Sequence, residues 1–321
     1  MTLKIPVEIL KEEYRAAKFT DIINDVRLRK RNLSQWQKAT IKDELYNGDT
    51  LRTNIDSKAD VRFYTGQILN LLSNSMIVLR HPKKEADIQL ISGQIKSVDT
   101  KVITASAKIT PKVAGTEFGA KIKEDLSTLV QVYKGAASVE AKGKKVEIKE
   151  GFGTEVKMDM PPSEPVKLPP AAKFDDTDIK LDKTAALKLE GNVLSLNTGK
   201  NIKNPSARTN IKIGDVAIST KEVPVPDSGK VKNPDINGKD LIDSKEIVKT
   251  IDISKTISAY HVQISKDRDF NKIVFDKTFD IFTKINLEEH LPKGNYWFRV
   301  SYVDLLGFEG KYSEPKAISV Q

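Results

Sequence analysis

Apolar and polar residues alternate with a period of two along most of this chain, and helical periodicity is nearly absent after residue 20. Before that point, residues 6–18 place Val7, Leu10 and Tyr14 on one face and Lys11, Glu12 and Arg15 on the other, which predicts a short helix. From Ile22 the phase changes: Ile22, Asn24, Val26 and Leu28 share one strand face, and Asp25, Arg27 and Arg29 the opposite one. Strand-like runs then recur at Ala59 to Tyr64, Gln67 to Leu72, Met76 to Arg80, Asp87 to Ile91, Val102 to Ser106, Thr116 to Ile122, Leu129 to Tyr133 and Lys145 to Lys149. Gly66, Asn74, Gly93, Gly115, Gly135 and Gly143 separate them, residue types that tolerate the positive φ of a sharp corner. Short strands at this spacing predict an all-β domain.

The stretch from Met160 to Pro170 interrupts the pattern, with five prolines in eleven residues. Proline removes backbone donors and favours an extended polyproline strut, so a linker is expected over 159–173. Beyond it, strand candidates lie at Ala185 to Leu189, Val193 to Leu196 and Ile211 to Ile218, and residues 198–250 include a Pro-, Lys-, Asp- and Gly-rich insertion. Clear alternation returns in Tyr260 to Ile264 and in Tyr296 to Val303, as expected for core strands of a sandwich. The expected organisation is a helical segment (1–18), a β domain (19–158), the linker (159–173) and a second β domain (174–321).

Composition narrows the function classes. The 321 residues carry a net charge of +9, which permits anionic partners, but the lysines are spread along the whole length as on a solvated surface. Arg27, Arg29, Lys30 and Arg31 form the densest basic cluster, read as a solvated strand face. Phe63, Phe118, Tyr296 and Trp297 fit the apolar phases of strands rather than an exposed stacking surface, so nucleic-acid binding is disfavoured. With no cysteine, thiolate metal sites and cysteine nucleophiles are excluded. His81, His261 and His290 are far apart, none in a metal-binding spacing, and each is assigned a structural or solvated role. Asp235 to Asp243 imitates a calcium loop, but Lys239 stands where an oxygen ligand is needed and Gly238 comes early, so it is read as a turn. No nucleophile elbow, phosphate-cradling loop or dinucleotide fingerprint is present. No catalytic, cofactor-binding or metal residue is therefore assigned. No apolar run approaches the roughly 18 residues of a spanning helix.

Several short motifs fall in a definite order: Trp36; Gly48-Asp49-Thr50-Leu51-Arg52-Thr53; Val61 to Gly66; Thr110-Pro111 followed by Gly115-Thr116-Glu117-Phe118; Val132 to Val139 around Gly135; and Gly151-Phe152-Gly153-Thr154. In this order they resemble the FecR domain family over residues 19 to 158. Tyr260 to Asp267, Phe270, Leu291 to Val300, Asp304, Gly307 and Gly310 to Ser313 resemble a fibronectin type III-like domain. The resemblance implies a FecR-like β-solenoid or twisted-sheet module followed by an immunoglobulin-like sandwich, placed in the periplasm or outside the cell after removal of a leader. FecR regulators sense a loaded transporter and signal through an anti-sigma segment and one membrane helix, neither of which is recognisable here. The expectation is thus a non-catalytic envelope component, such as a sheath or coat of an appendage, contacting other envelope proteins or copies of itself. The alternatives are a FecR-type sensor working through a separate membrane protein, or a binder of an anionic polymer.

Overall fold

The computed structural model describes residues 15–80, 87–174, 257–281, 283 and 291–320, with short strands at 179–181, 186–190, 193–197, 212–213 and 216–217. Residues 1–14 of the expected helical segment (1–18), the insertion outside those strands, the imitation calcium loop, His81 and His290 lie outside the described residues. The chain divides into two compact units, Met1–Leu168 and Pro169–Gln321.

The first unit winds between two nine-stranded sheets. β1 (Arg15–Ile23) lies in the first sheet, β2 (Val26–Arg29) and β3 (Gln37–Lys38) in the second, β4 (Glu44–Tyr46) in the first and β5 (Thr50–Thr53) in the second. The chain then mostly alternates in pairs. β6 (Lys58–Phe63) and β7 (Ile68–Leu71) return to the first sheet, and β8 (Met76–Leu79) and β9 (Ile88–Ser92) go to the second. β10 (Gln94–Val98) crosses back alone, followed by β11 (Val102–Ile103) and β12 (Lys108–Pro111) in the second sheet. β13 (Glu117–Ile122) with β14 (Thr128–Lys134), β15 (Ala136–Ala141) with β16 (Lys144–Lys149), and β17 (Phe152–Val156) with β18 (Val166–Lys167) complete the pattern. All pairings in this unit are antiparallel except β9 with β11.

Period-two burial makes the two sheets one body. Ala59, Val61 and Phe63 on β6 and Leu69 and Leu71 on β7 point inward, facing Leu51, Ile77, Leu79 and Leu90 of the other sheet in a single core. The expected strand from Ile22 to Leu28 is in fact two: Val26 and Leu28 are buried as expected, but Asn24 turns at φ 60 and carries the chain from one sheet to the other. Residues 15–18, expected to end a helix, belong to β1, where Ala17 pairs with Phe63 and also with Leu45.

Nine of the ten sheet-to-sheet crossings use a residue in the left-handed region: Asn24, Gly48, Asp56, Asn74, Gly93, Asp99, Gly115, Gly135 and Gly151. Gly66 and Gly143, grouped with these by sequence, instead turn hairpins within one sheet. A crossing takes backbone groups out of the ladder, and they need other partners. Buried hydroxyls supply them. Ser75 Oγ accepts from Gln94 N at 2.8 Å and donates to Gln94 O, Thr116 Oγ1 reaches Val113 O and Ala136 O at 2.6 and 3.1 Å, and Thr100 Oγ1 faces Ile68 O and Val98 O.

The proline-rich stretch is not a free strut over its first half. Ser163 N donates to Glu155 O at 2.9 Å, Thr154 Oγ1 donates to Ser163 O, and Val166 and Lys167 pair with Gly153 and Phe152. The segment's amides other than proline can still extend a sheet edge, and here they do.

In the second unit, five strands form one sheet in the order β20 (Ile179–Leu181), β28 (Lys316–Val320), β27 (Gly294–Asp304), β25 (Ile257–Ser265) and β26 (Ile273–Asp280), with β20 parallel to β28 and the rest antiparallel. A three-stranded sheet joins β19 (Lys173–Phe174), β22 (Val193–Asn197) and β21 (Ala186–Glu190), and β23 (Lys212–Ile213) pairs with β24 (Val216–Ala217). One face of the five-stranded sheet buries Tyr260, Val262, Ile264, Phe298, Val300, Tyr302 and Ile318. The described part of the chain is all-β.

Candidate functional site

Four of the motifs, at Gly48, Gly115, Gly135 and Gly151, prove to be crossing points, whereas the one ending at Gly66 turns a hairpin within the first sheet. Gly48, at φ 93, donates its N–H to Leu79 O, and Asp49 behind it is 1% exposed. The Asp49 carboxylate accepts from Tyr46 N at 3.0 Å and Arg31 N at 3.1 Å and pairs with Lys30 Nζ at 2.9 Å, tying two loops together. Asp99 plays the same part at the Gly115-Thr116 motif, accepting both of those N–H groups at 2.8 and 2.9 Å. These carboxylates are spent on backbone and carry no chemistry of their own.

His261 is the sole histidine among the described residues, and it lies on the face of the five-stranded sheet opposite the apolar core. Its Nδ1–H is shared between Glu309 Oε1 and the Tyr312 hydroxyl oxygen, each at 2.9 Å, and Nε2–H donates to Asp276. Ser301 Oγ donates to Glu309 at 2.6 Å, Gln263 Nε2 to Asp276 at 2.9 Å, and both Arg299 Nε and Nη2 to Gln263 Oε1. Burial alone would push the imidazole down. The charge of Glu309, and the hydrogen bonds to Asp276 and Glu309, outweigh it and raise His261 to about 9, so the ring is an imidazolium at neutral pH. The two carboxylates grip opposite ring nitrogens and cannot converge on one ion. Among the described residues no group of three acidic or histidine side chains is disposed to hold a metal. Ser301 is fully buried and donates to Glu309, an arrangement that serves the network and gives a substrate no access.

The exposed feature of the first unit is basic and aromatic. β2 brings Arg27 and Arg29 to the outer face of the second sheet, β5 brings Arg52 and β3 Lys38; Leu28 and Leu51 point the other way into the core. Trp36 lies under two guanidiniums, with Arg29 at 5.0 Å and Arg52 at 5.7 Å from its ring. Asp25, held below the usual carboxylate range by hydrogen bonds from Arg27 and then Asn54, is the acid paired here, at 2.6 Å from Arg27 Nε. Two members of the predicted basic cluster leave it: Lys30 turns inward to Asp49, and the Arg31 stem packs against Gly48. Sequence reasoning identified Trp36 as a motif residue but missed its partners, because Arg29, Trp36 and Arg52 come from three segments. Trp297 is likewise half-buried beneath Arg268 at 5.7 Å rather than in the apolar core.

The model of the FecR protein family matches residues 49–138, from the buried Asp49 to Ser138 of β15. Two crystal structures of a candidate anti-sigma factor from Parabacteroides distasonis, at 2.50 and 1.65 Å, are similar at 16% and 17% identity. Each has a TM-score of 0.31, covering 37% of this chain and 58% of the other. The chain thus spans less than two thirds of those structures. No curated protein matches it.

Proposed function

We propose that this chain is a non-catalytic regulatory protein of the FecR type, acting outside the cytoplasm through contacts with other proteins, including a separate membrane protein that carries the signal. The observation that carries this reading is the FecR family match over residues 49–138, which takes in six of the nine left-handed crossing residues of the first unit, from Asp56 to Gly135. It favours a regulatory role over the sheath or coat component expected from sequence, for which no family match speaks. The second unit we read as an immunoglobulin-like domain of the fibronectin type III kind. Its five-stranded sheet with one apolar face and the loop from Asp304 to Phe308 around Gly307 support that reading.

The test is genetic and biochemical together. Deleting the gene in its native organism should change the transcription of one sigma-factor regulon, and in-cell crosslinking of the intact chain should capture an envelope transporter or a membrane-bound regulator. An unchanged transcriptome, with crosslinks only to copies of itself or to appendage subunits, would return the sheath reading to first place.

A further inference from the structure

The outer face of the second sheet in the first unit carries an arrangement of charge that folding alone does not favour. Arg27 on β2 stands directly opposite Lys38 on β3 and Arg52 on β5, so three cations form a lateral row across three neighbouring strands. Like charges directly opposite one another across strands destabilise a sheet. One pleat along, Arg29 faces Thr50 and shares Trp36 with Arg52. Among the described residues Asp25 is the one carboxylate within salt-bridge distance of this group: it pairs with Arg27, accepts from Asn54 and feels the Lys38 charge at longer range. Arg29 donates to Thr50 Oγ1 and Arg52 to Asn54 Oδ1, neutral partners, and no ion pair answers Arg29, Lys38 or Arg52. Lys38 and Arg52 are exposed, and β3, two exposed residues long, ends the sheet.

We propose that this face binds an acidic, extended segment of a protein partner that lies over β2 along the strand direction, with carboxylates on alternate residues answering Arg27 and Arg29, and with Lys38 and Arg52 flanking Arg27 on either side. Alternate residues of a strand project to the same side about 6.6 Å apart, the spacing at which Arg27 and Arg29 themselves are presented. Guanidinium forks take carboxylates two bonds at a time, and Trp36 offers a flat apolar floor beside them. A single-stranded nucleic acid would want several stacking platforms along its path, and the patch has one. The inference rests on the reading of this unit as a protein-binding module, and it adds the chemistry of the partner.

The experiment uses the full chain and a fluorescein-labelled (Glu-Thr)5 peptide, followed by anisotropy at low and at physiological salt. Saturable binding is expected, weakened on the order of tenfold or more in Arg29→Gln/Arg52→Gln, and again in Trp36→Phe. Because Arg52→Gln removes a charge opposite Arg27 while both substitutions give up a contact with Trp36, the two effects offset and the double variant should unfold at close to the wild-type temperature. Arg52→Lys should recover part of the affinity by restoring charge without the fork. Absence of saturable binding at low salt, or equal affinity in wild type and double variant, overturns the proposal. So does tighter binding of an equally charged thymidine oligonucleotide that the same substitutions abolish, which would make the surface a nucleic-acid site. These outcomes are independent of the regulon and crosslinking results, so the failure of one reading is separable from failure of the other.

Discussion

Gly93→Ala tests whether the sheet crossings, rather than the strands alone, hold the first unit together. Gly93 sits at φ 81 between β9 and β10, and a Cβ there would lie 2.3 Å from Ser75 Oγ and 2.5 Å from both Asn74 O and Ser75 Cα. Two of those three atoms are backbone, so relief requires moving the neighbouring crossing at Asn74. The left-handed conformation costs an alanine about 1–2 kcal/mol. Displacing Ser75 also breaks its exchange with the Gln94 N–H and C=O inside the unit, worth about 1 kcal/mol for each bond lost. The total comes to about 3–4 kcal/mol. Gly143→Ala is the control, since it has the same positive φ, at 73, but nothing within 4 Å of the added methyl, and should cost only the conformational part. The assay is urea unfolding in a Trp297→Phe background, which leaves Trp36 as the fluorescent reporter of the first unit. With a slope of about 2 kcal/mol per molar urea, the midpoint should fall by about 1.5–2 M for Gly93→Ala and by about 0.5–1 M for Gly143→Ala. Midpoints within about 0.3 M of each other would refute the argument that contact at the crossing, and not merely its backbone angle, sets the cost.

Other predictions follow from the two polar networks and one close approach. Asp49→Asn should destabilise the first unit by about 2–3 kcal/mol, because the amide turns a donor toward the Tyr46 or Arg31 N–H and loses the Lys30 pair; Trp36-monitored denaturation measures it. His261 has a folded pKa raised to about 9, above the ordinary 6.5, so its contribution is complete below about pH 6.5 and lost as pH rises through 9. With Trp36→Phe leaving Trp297 as reporter, the stability of the second unit should fall by about 3 kcal/mol between pH 6.5 and 10. His261→Gln should flatten that slope, and a rise in stability over the same range would show the sign to be wrong. Burial raises Asp304 to about 6, so the same unit should also lose stability as pH climbs from about 4 to 6, a slope that Asp304→Asn removes. Gly310→Ala would bring a methyl 2.4 Å from the Pro169 carbonyl and should cost about 1–3 kcal/mol in the Trp297 transition.

Much of the first unit was legible because its core obeys period two: Val61, Phe63, Leu69, Leu71, Ile77 and Leu79 are all buried where alternation placed them. The strands that escaped notice have weak patterns. β10 shows one large aliphatic inward residue, Ile95, β12 ends in Pro111, and the inward row of β15 holds alanines beside a single valine. Glycines were visible as corners, but whether a corner turns within a sheet or leaves it depends on what the next strand pairs with, and no single turn encodes that. The Asp25 to Arg52 surface was half legible: Arg27 and Arg29 stood out, yet Arg52 and Trp36 join them only through strand pairing. The His261 network was hidden for the same reason, since residues 261, 276, 309 and 312 meet only across the folded sheet.

The order of winding has a consequence for how the first unit is made. After the opening four strands, strand number rises steadily across both sheets from one edge to the other, so each new pair docks on the pair finished just before it. Contacts therefore stay between segments close in sequence, as in repeat proteins, where stability is nearly a sum of units and their nearest-neighbour interfaces. Such a body can be completed behind the ribosome or the export channel one pair at a time, and evolution can lengthen or shorten it at the β17–β18 end without disturbing the charged face at the other.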